Sequence, residues 1–552
     1  MKKIFLLIAL VSLGWISSHA QWKTDDKAFT IVGADSVYGQ GQMKALRTAD
    51  GYTVLTWLNT PEGMHYDDPR YGYYLYMQTF DKNGNALLGK NGLTVSSLPT
   101  KSWTTDYGMQ VTADGNILLS YTDVRNDTAK KKGENYLYCY TPQGQPVWSK
   151  EGIRMFGASK PQHPDYEDMV PLVCVSGSNI YASIAHMENY KVKADSTNWQ
   201  PSPWYPDEEM PDSIDMQSNV YLVMRYNADG TKAWAEPVEL EADGMFAYPG
   251  ADGKLYLVYP NKSLGLSARL IDTDGKDVWA APVVIETSSY VGSNAPATEP
   301  NVASDGKGGL VLAYRKLTNF AGYLVTNHLT ADGQVFAEEF LPNGTKDGNC
   351  SGIKLGVNGS KAFVAWSYTG VDTSANLWVN QLDIEGDYTW EGDSLLGYSY
   401  CSNDGFGVTP VKVIPQSDGW VMLYGDCTGW NTANFYVAKV DFEGNTLWKR
   451  QIAENDFKSS GFAVVNDDTQ ACIFYTCDKE YGDDWEEIPG KGGLRMMCVD
   501  ISGTATGIHG IHAATAGTKA VYNLQGSRVA SMEVSGVYIV KENGITRKVM
   551  KK

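Results

Sequence analysis

The sequence predicts an all-β fold, a β-propeller of eight four-stranded blades with seven as the alternative, and three observations predict it. A turn-and-strand unit recurs along the 552 residues, the chain carries 56 Gly, 34 Tyr and 16 Trp, and no copy of the unit is long enough to cover both faces of its own sheet. Glycine supplies the positive φ that tight turns need, and aromatic side chains suit a pleated, half-buried surface. Sheets that cannot cover themselves are covered by stacking neighbours around a ring.

The order of elements begins with residues 1–20. Lys2 and Lys3 precede an apolar run from Ile4 to Trp15, and Ser18 and Ala20 occupy small-residue positions before Gln21. That order is expected of a secretory signal peptide, and the apolar run is too short to span a bilayer as a mature helix. No later segment holds 18 uninterrupted apolar residues, so no transmembrane segment is expected.

The repeat occupies residues 21–502. Its first half is a turn and a strand ending in an aromatic: Asp50-Gly51 before TVLTW, Asp114-Gly115 before NILLSY, Asp252-Gly253 before KLYLVY, Asp305-Gly306 before KGGLVLAY, Asn358-Gly359 before SKAFVAW and Asp418-Gly419 before WVMLY, with weaker copies at 176–185 and 466–475. Its second half is an alternating strand and a D-x-x-G-type turn, with Thr141, Asn227 or Thr330 in the first place of three copies, often with Trp four residues after the Gly. It recurs at 81–88, 141–148, 227–234, 272–279, 330–337, 383–390 and 441–448. Asp or Asn bonds its own backbone two residues on, Gly takes the left-handed position, and the Trp is expected to begin the next strand by packing on its neighbour.

The first half occurs eight times and the second only seven, so the eighth unit, ending at RMMCVDISG, lacks its fourth strand. Residues 28–37 read as a fourth strand with no hairpin before it, and they are expected to close the last blade. Closure removes an open edge that would otherwise recruit other chains.

The blades, with aromatic-ended strands followed by D-x-x-G-x-x-x-W, resemble the degenerate propeller repeats of secreted Bacteroidetes proteins. That resemblance implies a fold and leaves activity open. After a Gly, Ala, Thr and His linker at 503–518, residues 519–552 alternate apolar and polar through short strands at 520–524, 536–541 and 546–550. In Val521-Tyr522-Asn523-Leu524-Gln525-Gly526, in Gly536-Val537-Tyr538-Ile539-Val540 and in the basic tail from Arg547, this module is similar to the carboxyl-terminal sorting domain of type IX secretion substrates. The likeness implies export to the outer surface and a partner in the secretion machinery.

Charge limits the partners. With 46 Lys plus Arg against 64 Asp plus Glu, a formal charge of −18 and no basic block longer than Lys130 to Lys132, the chain is unsuited to nucleic acid. There is no G-x-S-x-G, H-E-x-x-H, P-loop or C-x-x-C, and the D-x-x-G turns match neither the sialidase box nor the quinone-dehydrogenase turn. The acidic turn 272–277 offers oxygens for calcium but lacks the bidentate Glu of a known cage, so a plain hairpin and no cofactor are expected. His65, His163, His186, His328, His509 and His512 are scattered. Among the eight Cys, strand bookkeeping sets Cys401 and Cys427 on one face of blade seven as a candidate disulfide, and most others read as small buried hydrophobes.

One asymmetry points to a site. The connections between second and third strands of blades eight, one, two and three are long and consecutive around a closed ring, so they are expected to gather into an acidic, aromatic crescent. Its candidate ligand-binding residues are Tyr66, Asp67, Asp68, Arg70, Tyr71, Trp199, Trp204, Tyr205, Asp483, Asp484 and Trp485. Exposed aromatics suit sugar rings or peptide side chains, and carboxylates suit hydroxyls or cations. The expected function is binding of an extracellular glycan or protein by a secreted or surface-displayed propeller. The alternatives are a polysaccharide or peptide hydrolase using Asp67 or Asp68 against Asp483 or Asp484, and a structural surface component.

Overall fold

The computed structural model describes residues 29–551 except 33–37, 61–71, 101–106, 126–132, 156–161, 201–208, 262–264, 288–299, 319–320, 341–348, 370–373, 385–393, 401–407, 430–431, 458–461, 478–492, 503–519, 523–527, 530–535 and 543–544. Eight four-stranded blades form a ring. Seven are consecutive meanders: 38–94, 108–154, 166–241, 246–286, 301–340, 349–400 and 409–457. The eighth combines Phe462–Asn466, Gln470–Cys477 and Gly493–Asp500 with the amino-terminal strand Phe29–Val32. Thr30 faces Arg495 and Phe29 faces Met496 in antiparallel register, which is the closure expected of residues 28–37, realised over its first part.

The core follows from that ring. Eight apolar clusters lie one between each pair of neighbouring blades, including one that joins Met43, Leu55 and Trp57 of blade 1 to Phe474, Met496 and Cys498 of blade 8. In the strand Thr53–Thr60, Val54 and Leu58 enter the layer shared with blade 2, whereas Leu55 and Trp57 enter the layer shared with blade 8. Both faces are buried, so the middle strands read as continuous apolar runs.

In blades 2, 3 and 4 the recurring Trp clamps the next blade and lies before the outer strand, whereas Trp448 of blade 7 lies within the outer strand Thr446–Phe457, as expected. Trp148, Trp234 and Trp279 donate Nε1 to Ala228 O at 2.9 Å, Thr273 O at 2.8 Å and Ala331 O at 3.2 Å, each inside the D-x-x-G turn of the following blade. The glycines of those turns, Gly230, Gly275 and Gly333, have φ of 84°, 83° and 87°, and their missing Cβ leaves room for the indole. A Cβ on Gly230 would overlap Ile153 Cδ1 and stand 3.0 Å from Trp148 Cδ2. Tyr181 and Tyr256 add a second bolt, donating to Gly253 O and Gly308 O of the next blade at 2.7 Å. The D-x-x-G turn itself is closed locally, with Asp272 Oδ1 accepting the N–H groups of Asp274 and Lys276 at 2.9 Å. Gly230→Ala is expected to cost about 2 kcal/mol through the clash and the strained φ together. Gly306→Ala, where φ is 71° but nothing lies within 4 Å of the added carbon, isolates the strain and is expected to cost about half as much. Urea midpoints of the two variants check the difference.

One cysteine expectation is corrected. Cys472 and Cys498 stand directly opposite on neighbouring strands of blade 8, with Cα atoms 4.2 Å apart, and form a disulfide instead of packing as two separate hydrophobes. Opposed residues of a non-hydrogen-bonded antiparallel pair are close enough for that bond. Cys139, Cys174 and Cys350 are buried thiols, and burial pushes Cys139 and Cys174 up to about 12. Cys401 and the side chain of Cys427 lie outside the described residues.

After the propeller, Ala520–Tyr522, Arg528–Val529, Gly536–Glu542 and Ile545–Lys551 make a separate four-stranded sheet around Val521, Tyr538 and Val540. No helix among the described residues is long and apolar enough to cross a membrane.

Candidate functional site

In a four-stranded meander, the connections between second and third strands and those leading to the next blade emerge on the same side. Blade 3 is built up on that side. Its middle strands, Asn179–Lys193 and Ser213–Tyr226, pair without interruption from Ile180 and Tyr226 to Lys193 and Ser213. The connection between the second and third strands of blade 3, expected as a long loop, therefore begins as a β-ribbon in which residues 186–193 pair with 213–220. The inner strand reaches only to the pair Tyr166 and Glu188, so residues 189–193 stand beyond it by about 17 Å.

At the foot of this ribbon, strand geometry assembles three ionisable groups. Asp168 on the inner strand is directly opposite His186, and Glu188, two residues along, points to the same face. His186 Nδ1 lies 2.7 Å from Asp168 Oδ1, and its Nε2 lies 3.0 Å from Glu188 Oε1. All three are largely shielded, with side-chain exposures of 5 % for His186, 18 % for Asp168 and 7 % for Glu188. The inner strand bulges just beyond them, between Met169 and Leu172, with Val170 held at φ 52°. A β-branched residue rarely occupies that region, so backbone strain is stored beside the triad.

The triad also ties down the crossing from blade 2. Glu188 accepts the backbone N–H of Gln162 at 2.7 Å and of His163 at 3.0 Å. The His163 ring stacks on Tyr190 of the ribbon with centroids 4.2 Å apart, and Tyr166 lies 5.2 Å from His186. Burial alone would lower the His186 pKa, but the bonds to Asp168 and Glu188 outweigh it and raise it. Burial raises Asp168 against the pull of His186, whereas for Glu188 the bonds from His186, Gln162 and His163 overcome burial and lower it. The arrangement favours the protonated imidazole, set between one carboxyl held below its ordinary range and one raised above it. Both ring nitrogens are engaged, so His186 neutralises and positions its partners and offers no lone pair to a ligand.

Beside the triad, between blades 3 and 4, lies a cleft of about 640 Å³. The crossing from blade 2 lines it with Gln162, blade 3 with His186, Glu188, Ser218, Asn219, Val220, Leu240 and Glu241, the link to blade 4 with Ala242 and Asp243, and blade 4 with Tyr259, Pro260, Asn261 and Ser267. Asn261 is committed to its own turn, donating to Ser267 Oγ and Glu286 O at 3.2 Å. Asn219 differs, because its Oδ1 is buried and has no hydrogen-bond partner among the described residues.

Of the residues expected to form the crescent, the structure describes only Trp199, half-buried in the ribbon's tip, where its backbone N–H donates to Asp195 O at 3.0 Å. Tyr66, Asp67, Asp68, Arg70, Tyr71, Trp204, Tyr205, Asp483, Asp484 and Trp485 lie outside the described residues. The triad was not anticipated, since His186 read as one of six scattered histidines beyond residue 20. The available signal was His-x-Glu on an alternating strand, which puts both side chains on one face. No group of three or more His, Cys, Asp or Glu side chains among the described residues is placed to hold a metal ion.

No protein-family model matches the chain, and no curated protein matches it by sequence. Solved structures similar to it include the polysaccharide lyase Uly1, with a TM-score of 0.39 and 10 % identity over 86 % of this chain and 98 % of that one. The Hadza microbial sialidase Hz136 gives a TM-score of 0.32 and 12 % identity over 86 % and 95 %. A mutant Aleuria aurantia lectin in complex with Fucα1-6GlcNAc gives 0.31 and 9 % over 66 % and 97 %.

Proposed function

We propose that the protein is an extracellular carbohydrate-binding propeller that takes a sugar chain into the cleft between blades 3 and 4. The observation that carries this reading is the cleft beside the clamped His186, lined in equal measure by polar and apolar surface, with Asn219 in that lining and its buried Oδ1 unpartnered among the described residues. Its volume of about 640 Å³ falls in the usual range for small-ligand sites. Amide, hydroxyl and carboxylate groups are the complement of a polyhydroxylated ligand, whereas a protein partner favours a broad surface with an apolar centre. Export is supported by the order of residues 1–20 and by the Cys472–Cys498 disulfide, a bond of oxidising compartments. In this reading the carboxyl-terminal sheet serves as the sorting module and holds the propeller at the outer surface.

A glycan array probed with the full chain, with Asn219→Leu and with a variant in which Trp199, Trp204 and Trp485 become Ala tests the proposal. The expected result is retention of a subset of glycans, with signal falling about tenfold in Asn219→Leu, the equivalent of one hydrogen bond to a buried group. Loss confined to the triple Trp variant would move the site away from the cleft to the aromatic residues substituted there. Equal signals from all three proteins, or no retained glycan, would overturn the reading.

A further inference from the structure

Building on the carbohydrate reading, we infer that the cleft selects sugars bearing a free, protonated amine. The hydrogen-bonding inventory is lopsided. Glu241 and Asp243 are exposed carboxylates in the lining without an ion pair among the described residues, and Asn219, also in the lining, keeps a buried Oδ1 with no hydrogen-bond partner among them. No Lys or Arg lines the cleft. Its one cation, His186, is already shared between Asp168 and Glu188, which leaves the surroundings net negative. An ammonium group is the converse of this lining, with three N–H donors, no acceptor and a positive charge. A carboxylated or sulfated sugar would bring acceptors to acceptors and repel the rim, and the chain's −18 charge adds to that repulsion at long range. An N-acetylated sugar loses the charge and two of the three donors.

The test is calorimetric titration of the full chain at pH 6 and low salt with a glucosamine tetramer, its fully N-acetylated counterpart and tetralysine. The glucosamine tetramer is expected to bind about tenfold more tightly than the acetylated one, the effect of two exposed charge pairs. That preference is expected to fall towards unity in 0.5 M salt, roughly three times the physiological ionic strength, and in the Glu241→Gln, Asp243→Asn double variant, whose exposed positions leave the fold intact. Equal affinity for the two tetramers would overturn the charge inference and leave the carbohydrate reading standing. Tetralysine binding as tightly as glucosamine would overturn it in favour of a basic peptide ligand. Failure of both sugars to bind would overturn the amine inference, and the glycan array decides the carbohydrate reading by itself.

Discussion

Removing Phe29–Val32 is expected to open the ring. This strand is the outer partner of Gly493–Asp500, and it connects the two ends of the propeller through antiparallel pairing at Phe29, Thr30 and Val32. Without it, the outer strand of blade 8 presents unpaired N–H and C=O groups, a template for pairing with another chain. The loss is expected to be on the order of 3 kcal/mol from the missing ladder hydrogen bonds, with a shift from monomer to higher assemblies. Amides of Leu494, Arg495 and Met496 should exchange faster with solvent than those of Cys472 and Ile473, which keep a partner on each side. Light scattering and hydrogen exchange check both effects. A synthetic peptide spanning residues 27–34 should restore the monomer by adding back the strand. An unchanged urea midpoint and a monomeric deletion variant would show that closure rests on side-chain packing between blades 8 and 1.

The closure was legible because it is a matter of counting: eight first hairpins, seven fourth strands and one orphan strand at the amino end. The turns were legible for a similar reason, since Asp272, Gly275 and Trp279 each play a part that residue type announces. What the text hid is partnership across units. Trp148 and Gly230 belong to different blades, and no local pattern says that the indole of one sits over the turn of the next. The disulfide was hidden by register. Both strands were placed, but the intervening segment of residues 478–492 obscures which residue of one faces which of the other, so the opposition of Cys472 and Cys498 had to be seen. The candidate site was least legible of all. Asp168 meets His186 only because the inner strand bulges between Met169 and Leu172, and a bulge shifts every pairing beyond it by at least one residue.

His186→Ala is expected to produce the largest single-residue loss. The substitution leaves Asp168 and Glu188 shielded from water and facing each other without the cation between them, and breaking such a network by removing one partner costs about 3 kcal/mol or more. Glu188 would keep its backbone donors from Gln162 and His163, so the greater part of the cost falls on Asp168, whose carboxyl burial already disfavours ionisation. The pH dependence has a definite sign. His186 is raised above 6.5 in the folded protein, so its contribution is complete below pH 6.5 and is lost as pH rises through the folded value. The gap between wild type and His186→Ala should accordingly be widest at pH 6 and shrink at pH 9. A triple variant, His186→Gln with Asp168→Asn and Glu188→Gln, keeps shape and hydrogen-bonding capacity without charge, and it should recover most of the loss at both pH values. Urea midpoints at pH 6 and pH 9 for the three proteins decide the matter. A penalty independent of pH would mean that His186 acts there as a neutral spacer and that the cleft is held open by packing, not by an ion network.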